Sequence, residues 1–450
     1  MRRILACIFI VGLFSSRTVF AQDISSKRDI AIFRMSSQMY EVPEFLYAAS
    51  DDAILRCLSS LTRFRIIGLE TRFEAYNLDD FIRRLQSERE KTAEIPEEVH
   101  AGKMVFTRAD WEKLVSSYIV VLPIINDFEL VCVSERLVDS DDDGKLDTIV
   151  RTYSAQSAIR FILLNMQTTQ VIGDFTIENF GTAESPKKAV MASLLLFPEK
   201  LEYELRKINA FKIRSGVSKV SGDMVEFELG RNMGISVGDE FALLKNEYAH
   251  NSETERETGL MMVTHVAETT AQAKILYANE GVVFADQLSE VPRLPLEFKF
   301  AGNVLFNTLH AQRHHVDMAA GFSITAIQTR GFYRFRPFYG LESTFSQKTL
   351  VTGLPLRVFV GGQLGNIFIG RFQFSPELSF GAQMLMKHGS KKPQFSGLNL
   401  RATLSFNFLV SRDIKVCADT GFDFEVNMLQ TAERSSFRPQ FLFQLGLVIK

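Results

Sequence analysis

The stretch IKVCADTGFDFEVNM, Ile414 to Met428, limits what this chain can fold into more than any other. Ile414, Val416, Ala418, Phe422, Phe424, Val426 and Met428 fall on one face with Thr420, and Lys415, Cys417, Asp419, Gly421, Asp423, Glu425 and Asn427 fall on the other. A period of two marks a strand. This one is roughly three times the common strand length of about 5 or 6 residues. It needs an apolar environment against one face and opposite charges against the other.

The same alternation recurs through the last third of the chain. Composition shifts near Pro292: residues 293–450 hold 21 of the 39 phenylalanines, yet no apolar run long enough for a transmembrane helix. Leu398, Leu400, Ala402, Leu404, Phe406 and Phe408 oppose Asn399, Arg401, Thr403, Ser405 and Asn407. Phe372, Phe374, Pro376, Leu378 and Phe380 oppose Arg371, Gln373, Ser375, Glu377 and Ser379. Weaker versions begin near Leu296 (with Phe298 and Phe300), Val316, Tyr333 and Leu356, and the chain closes on Phe441, Phe443, Leu445, Leu447 and Ile449. The pattern predicts eight strands. Longer loops (Asn307 to His315, Ser346 to Gly353, Lys387 to Gln394, Gln430 to Ser436) alternate with tight turns (Gln328 to Gly331, Gly365 to Gly370, Ser411 to Asp413).

Strand length separates a membrane barrel from a soluble sandwich. Strands crossing hydrocarbon need roughly 9 to 11 tilted residues, and closure leaves no unpaired edge in lipid. The expected fold is therefore an eight-stranded antiparallel transmembrane β-barrel over residues 293–450. Its polar face points inward, where Arg334, Arg336, Arg357, Arg371, Arg401 and Lys415 pair with Glu342, Glu377, Asp419, Asp423 and Glu425. Pro337 and Pro376 fall mid-strand and predict bulges or shifted strand boundaries. In strand number and loop alternation the segment resembles the small eight-stranded outer-membrane barrels of the OmpA and OmpW type. That resemblance implies an interior filled by side chains, hence an anchor or loop presenter ahead of an open pore.

The start of the chain reads as a secretory signal peptide over residues 1–21. Arg2 and Arg3 precede an apolar run from Ile4 to Phe14, and Val19-Phe20-Ala21 offers small residues for cleavage before Gln22. Without Arg2, Arg3 and Arg17 the formal charge moves from −2 to −5. A mildly acidic exported chain is no nucleic-acid binder. Cys57, Cys132 and Cys417 are widely spaced and odd in number, which excludes a disulfide framework.

Residues 22–208 read as a periplasmic α/β domain. Asp29-Ile-Ala-Ile-Phe33 and Arg63-Phe-Arg-Ile-Ile-Gly68 are strand-like, and Tyr47, Ile54, Leu58 and Leu61 recur at helical spacing. A later helix starts at Ser185-Pro186 and carries Val190, Leu194, Phe197, Leu201, Leu205 and Ile208, with Pro198 set to kink or split it. The element order, with the phrase Phe161-Ile-Leu-Leu-Asn-Met-Gln-Thr-Thr-Gln-Val-Ile-Gly173, resembles the periplasmic domain of the curli-secretion family and its relatives in flagellar assembly. Residues 209–292 read as a small all-β, SH3- or OB-like module. NMGISVGDEFALLK and GVVFADQL resemble the C-terminal module of the flagellar assembly T protein family, with Gly238-Asp239 at its glycine-aspartate turn and Ala285-Asp286 standing where a second is expected. That resemblance implies a scaffolding role and supplies no catalytic residues.

Two clusters bear on chemistry. Asp139, Asp141, Asp143 and Asp147 with Gly144 match positions of a calcium loop, since alternate carboxylates can wrap a hard cation. Val150 stands where a bidentate Glu belongs, so an Asp-Gly hairpin turn explains the segment without a metal. His310, His314, His315 and Asp317 fall in the first longer loop, where adjacent histidines on extended backbone point apart. With no nucleophile-base order visible, no enzyme and no cofactor are expected.

The reading is an outer-membrane barrel anchoring a periplasmic scaffolding or assembly domain, residues 22–292, with lipid and a periplasmic protein as partners. Alternatives are a small-solute, porin-like transporter and a soluble envelope binding protein.

Overall fold

The computed structural model describes residues 28–39, 41–73, 78–89, 97–101, 104–138, 148–249, 252–307, 318–345, 353–387, 393–427 and 436–450. The leader 1–21, the Asp139, Asp141, Asp143 and Asp147 cluster, the histidine cluster and most of each longer loop of the last third lie outside the described residues. No described helix is long and apolar enough to cross a bilayer.

The first unit contains β1 (Arg28–Arg34), β2 (Ser36–Ser37), α1 (Glu44–Ser60), β3 (Phe64–Arg72), α2 (Leu78–Arg89), β4 (Glu98–Ala101), β5 (Met104–Thr107) and α3 (Arg108–Ser116). It continues with β6 (Ile119–Val138), β7 (Thr148–Asn165), β8 (Gln170–Ala183), α4 (Pro186–Ser193) and α5 (Phe197–Lys207). The sheet order is β3-β1-β6-β7-β8, with β1 parallel to β3 and β6 and with β6, β7 and β8 antiparallel. Ile119 to Ile125 are all buried because both faces of β6 are covered there. One face holds Leu46, Ile54, Leu58, Val190, Phe197 and Leu201 from α1, α4 and α5, and the other holds Phe81, Phe106 and Trp111. Ser185 caps α4 by accepting from Lys188 N. The expected helical stripe is split at Leu194 to Leu196, and Pro198 sits in the first turn of α5, where its missing N–H costs nothing. Beyond Cys132, β6 and β7 run on past the end of β8 as a two-stranded arm that exposes Val133, Leu137 and Ile149.

The second unit is a closed six-stranded barrel in the order β10-β13-β12-β11-β14-β9. Its strands are β9 (Arg214–Ser221), β10 (Met224–Phe227), β11 (Glu240–Ala249), β12 (Ser252–Val266), β13 (Ala271–Ala278) and β14 (Gln287–Val291). Phe227, Phe241, Leu243, Met261 and Val263 fill it. Two of its turns are built alike. Gly238 has φ +88° and Asp239 accepts from Ser236 N, while Ala285 has φ +67° and Asp286 accepts from Val283 N.

The last unit is a closed antiparallel barrel. Its strands are β15 (Leu296–Asn307), β16 (Met318–Gln328), β17 (Phe335–Phe345), β18 (Leu354–Leu364), β19 (Ile367–Ile369), β20 (Phe372–Met386), β21 (Gln394–Leu409), β22 (Ile414–Asn427) and β23 (Ser436–Ile449). β18 and β19 both pair with β20 and form one stave interrupted at Gly365-Asn366, so the nine strands make eight staves. The turn expected at Gly365 to Gly370 is thus half strand, over Ile367–Ile369, and the reversal itself falls at Gly370-Arg371. β15 pairs with β23 and closes the ring. Pro337 and Pro376 sit opposite Gly362 and Leu404 in unbroken register, so the bulges expected at these prolines are absent; the shift falls at Gln383/Met384. Each proline forgoes one ladder donor without moving the register.

Candidate functional site

Strand alternation sorts the barrel residues into two sets. Phe322, Tyr339, Val360, Phe380, Leu400 and Leu445 face outward and are exposed. The inward set is buried and largely polar, with its charges organised as two ion-pair layers.

One layer joins β17, β18, β21 and β22. Arg401 donates through Nη1 to Glu342 Oε2 (2.6 Å) and through Nη2 to Glu342 Oε1 (2.8 Å), and Nη2 also donates to Asp423 Oδ2 (2.7 Å). Arg357 reaches the same two carboxylates, lying 3.2 Å from Glu342 and donating to Asp423. The strand register dictates this, because Glu342 lies opposite Arg357 and Arg401 lies opposite Asp423. The two guanidinium groups and two carboxylates are buried and balance one another, and such pairing is the condition under which buried charges are tolerated.

The second layer lies nearer the tight turns. Lys415 Nζ donates to both oxygens of Glu297 (3.0 and 2.8 Å) and to Gln373 Oε1 (3.1 Å). Lys299 lies 2.5 Å from Asp419 and 3.6 Å from Glu377, and Gln363 donates to Glu377 Oε1 at 2.9 Å. Ser405 donates to Asp419 Oδ1 at 2.6 Å. Between staves, Ile327, Phe338 and Phe359 form an apolar plug.

Arg336, Glu342, Arg357, Glu377, Arg401, Lys415, Asp419 and Asp423 are thus inside, and Glu425 is half-buried beside Gln440. Two expectations are corrected. Arg334 is exposed in the β16–β17 turn, and Arg371 lies in the turn before β20, donating to Leu409 O and Val410 O and covering the Tyr277 ring at 4.0 Å. Both sit past the strand ends, where alternation stops directing side chains. Glu297 and Lys299 belong to the interior and were missed. The signal was present, since they alternate with outward Phe298 and Phe300.

The small barrel closes the mouth at the tight-turn end. Leu260, Met262, Leu276 and Val291 pack with Phe368 and Leu409 of the large barrel, and Arg336 Nη2 donates to Met262 Sδ at 3.1 Å. Glu240 at the start of β11 accepts from Arg293 Nε (2.9 Å) and from Lys450 Nζ, and Arg293 also reaches Asp413 and the Arg412 carbonyl. Burial alone would raise the Glu240 carboxyl, but Lys450 and Arg293 outweigh it and hold it below the usual glutamate range. Gly331 N donates to Val237 O at 2.6 Å, and a Cβ on Gly238 would stand 2.3 Å from Thr329 O, so glycine permits this contact.

A further ionic cluster ties all three units. Arg206 of α5 pairs with Glu290 and Glu202, Arg63 lies 3.8 Å from Glu290, and Arg330 of the large barrel contacts Glu202 and Asp239. Burial, only partly opposed by nearby carboxylates, draws Arg63 and Arg206 down to about 10.

Neither a family model nor a curated protein sequence matches the chain. Among solved structures it is similar to Neisserial surface protein A, at 11% identity over 35% of this chain and 97% of that one, with a TM-score of 0.26. It is also similar to a hypothetical protein of Chlamydia trachomatis (13% identity, 35% and 73% covered, TM-score 0.19). A third likeness is to OmpT, an outer membrane protein of Vibrio cholerae (9% identity, 74% and 98% covered, TM-score 0.15).

Proposed function

We propose that this chain is an outer-membrane β-barrel protein in which the barrel serves as an anchor and the units before it form a fixed periplasmic scaffold. The observation carrying this reading is the filled and capped interior. Arg357, Arg401, Glu342 and Asp423 occupy the lumen, and Met262 and Leu276 of the small barrel close one mouth. The apolar outward belt supports membrane insertion, because a soluble protein rarely leaves so many contiguous Phe and Leu exposed. Residues 22–292 then lie on the periplasmic side, with the barrel's longer loops opposite. No substrate chemistry is assigned.

A porin-like reading has one observation in its favour. Both side-chain polar atoms of Asn303 and of Asn399 are buried without a protein partner, which suits a hydrated lumen.

The test uses the full chain recovered from membranes. Resistance to carbonate extraction and a boiling-dependent gel shift are expected of a closed membrane barrel. Proteoliposomes should then exclude small sugars at the rate of empty vesicles. Sugar uptake well above that background transfers the assignment to the porin-like reading, and complete extraction as a soluble protein removes the anchor.

A further inference from the structure

The tight-turn mouth of the large barrel is ringed by arginines, and most of them are engaged. Arg330 contacts Glu202 and Asp239, Arg371 is held by two carbonyls and Tyr277, and Arg412 reaches Glu257 at 2.8 Å. Arg334 differs. Its carbonyl accepts from Asn366, but its guanidinium is exposed and has no partner among the described residues.

Arg334 lines a cleft of about 550 Å³ between the two barrels, with Tyr333 on its own side and Met224, Thr264, His265, Gln272 and Lys274 across it. Tyr333 is fixed by stacking on Phe368, with ring centroids 5.6 Å apart. Lys274 is 2.8 Å from Asp223 in a pair that is only partly open to solvent, with the lysine side chain 20% and the aspartate side chain 59% exposed. The cleft opens where the apolar belt ends. Phe335 follows Arg334 in the chain, lies opposite Leu364, and both face outward and are exposed. A cationic notch at the edge of an apolar belt matches a molecule with a phosphate at one end and hydrocarbon at the other.

We propose that this cleft binds the headgroup phosphate of an anionic phospholipid from the leaflet on the small-barrel side. Arg334 and Lys274 contact the phosphate, and the acyl chains lie along Phe335 and Leu364. The inference rests on the membrane reading above. The lipid would bridge the two barrels at a point where their own contacts leave a gap.

The test inserts the full chain into nanodiscs of mixed phosphatidylglycerol and phosphatidylcholine and measures retained lipid by native mass spectrometry. Wild type should retain phosphatidylglycerol over phosphatidylcholine, whose phosphate is already offset by its own choline cation. The double variant Arg334→Gln with Lys274→Gln, which removes both phosphate contacts, should lose that preference by about a hundredfold, about tenfold for each charge-assisted contact removed. Equal retention of the two lipids by wild type, or an unchanged preference in the variant, overturns the inference. Displacement by soluble glycerol phosphate reassigns the cleft to a soluble ligand and overturns it as well. A chain that inserts and shows the gel shift without lipid preference leaves the membrane reading intact, whereas one that never inserts removes both.

Discussion

Lys450 Nζ donates to Glu240 Oε1, tying the chain just after the large barrel's last strand to the first residue of β11 in the small barrel. Arg293, in the linker between the two barrels, shares the same carboxylate. Glu240→Gln takes the paired carboxylate from the buried Lys450 ammonium and leaves half-buried Arg293 with Asp413. Breaking a buried pair from one side costs about 3–5 kcal/mol. Loosening of the cap at lower urea than wild type, followed by protease access to the Pro292–Pro295 linker, is the expected readout.

The same carboxylate gives the cap a pH dependence. The Glu240 carboxyl sits below its usual value of 4.5 in the folded state, so its contribution is complete above that value and is lost as pH falls through the lowered one. Urea midpoints of the cap should therefore decline on acidification below about 4.5 in wild type. In Glu240→Gln that part of the decline should be missing; an identical profile in both would remove Glu240 from the account.

Arg401→Met leaves Glu342 and Asp423 sharing Arg357 alone, so the large barrel holds one uncompensated carboxylate. The loss should again be about 3–5 kcal/mol, seen as a lower temperature for the gel shift. Adding Glu342→Gln should recover part of it, because one stranded charge goes with it. Additive losses would mean that the two side chains do not act as a unit.

The paired turns of the small barrel give opposite substitutions. Ala285 holds φ +67°, so Ala285→Gly relieves left-handed strain of about 1 kcal/mol, less the backbone entropy glycine adds to the unfolded chain. Stability should rise by a few tenths of a kcal/mol or slightly more. Gly238→Ala should instead destabilise, because its Cβ meets the Thr329 carbonyl. Chemical denaturation of both variants checks the pair.

Leu445 is 54% exposed on the outward face of β23. If that face meets lipid, Leu445→Arg should reduce insertion by about 2–4 kcal/mol, whereas Gln156→Arg on the exposed side of β7 should have little effect. Equal yields of inserted protein for the two variants would contradict the lipid-facing assignment.

The strands of the large barrel were legible because each of their faces meets a single environment, which writes a period of two into the residues. Glu297 and Lys299 obey the same period and could have been read from it. Arg334 and Arg371 could not be placed by period, since a strand's end is decided by where its hairpin turns, and Gly365-Asn366 carries β18 on into β19 past the expected reversal. The cap was not legible at all. Glu240, Arg293 and Lys450 are far apart in the chain and share no motif; only the assembled barrels bring them together. The split between α4 and α5 was legible, because Pro198 acts locally.

Closure of the large barrel joins β15 to β23, with Phe298 opposite Ile449. These are the first and last staves to leave any machinery that delivers the chain from its N-terminal end. Until β23 arrives, β15 presents an open ladder of donors and acceptors, and the Glu240 carboxylate lacks the Lys450 ammonium. Ring closure and cap locking therefore both depend on the last strand. A chain stalled before Ser436 would hold a finished sheet in front of an unfinished barrel, with its adhesive edge waiting for a strand from elsewhere.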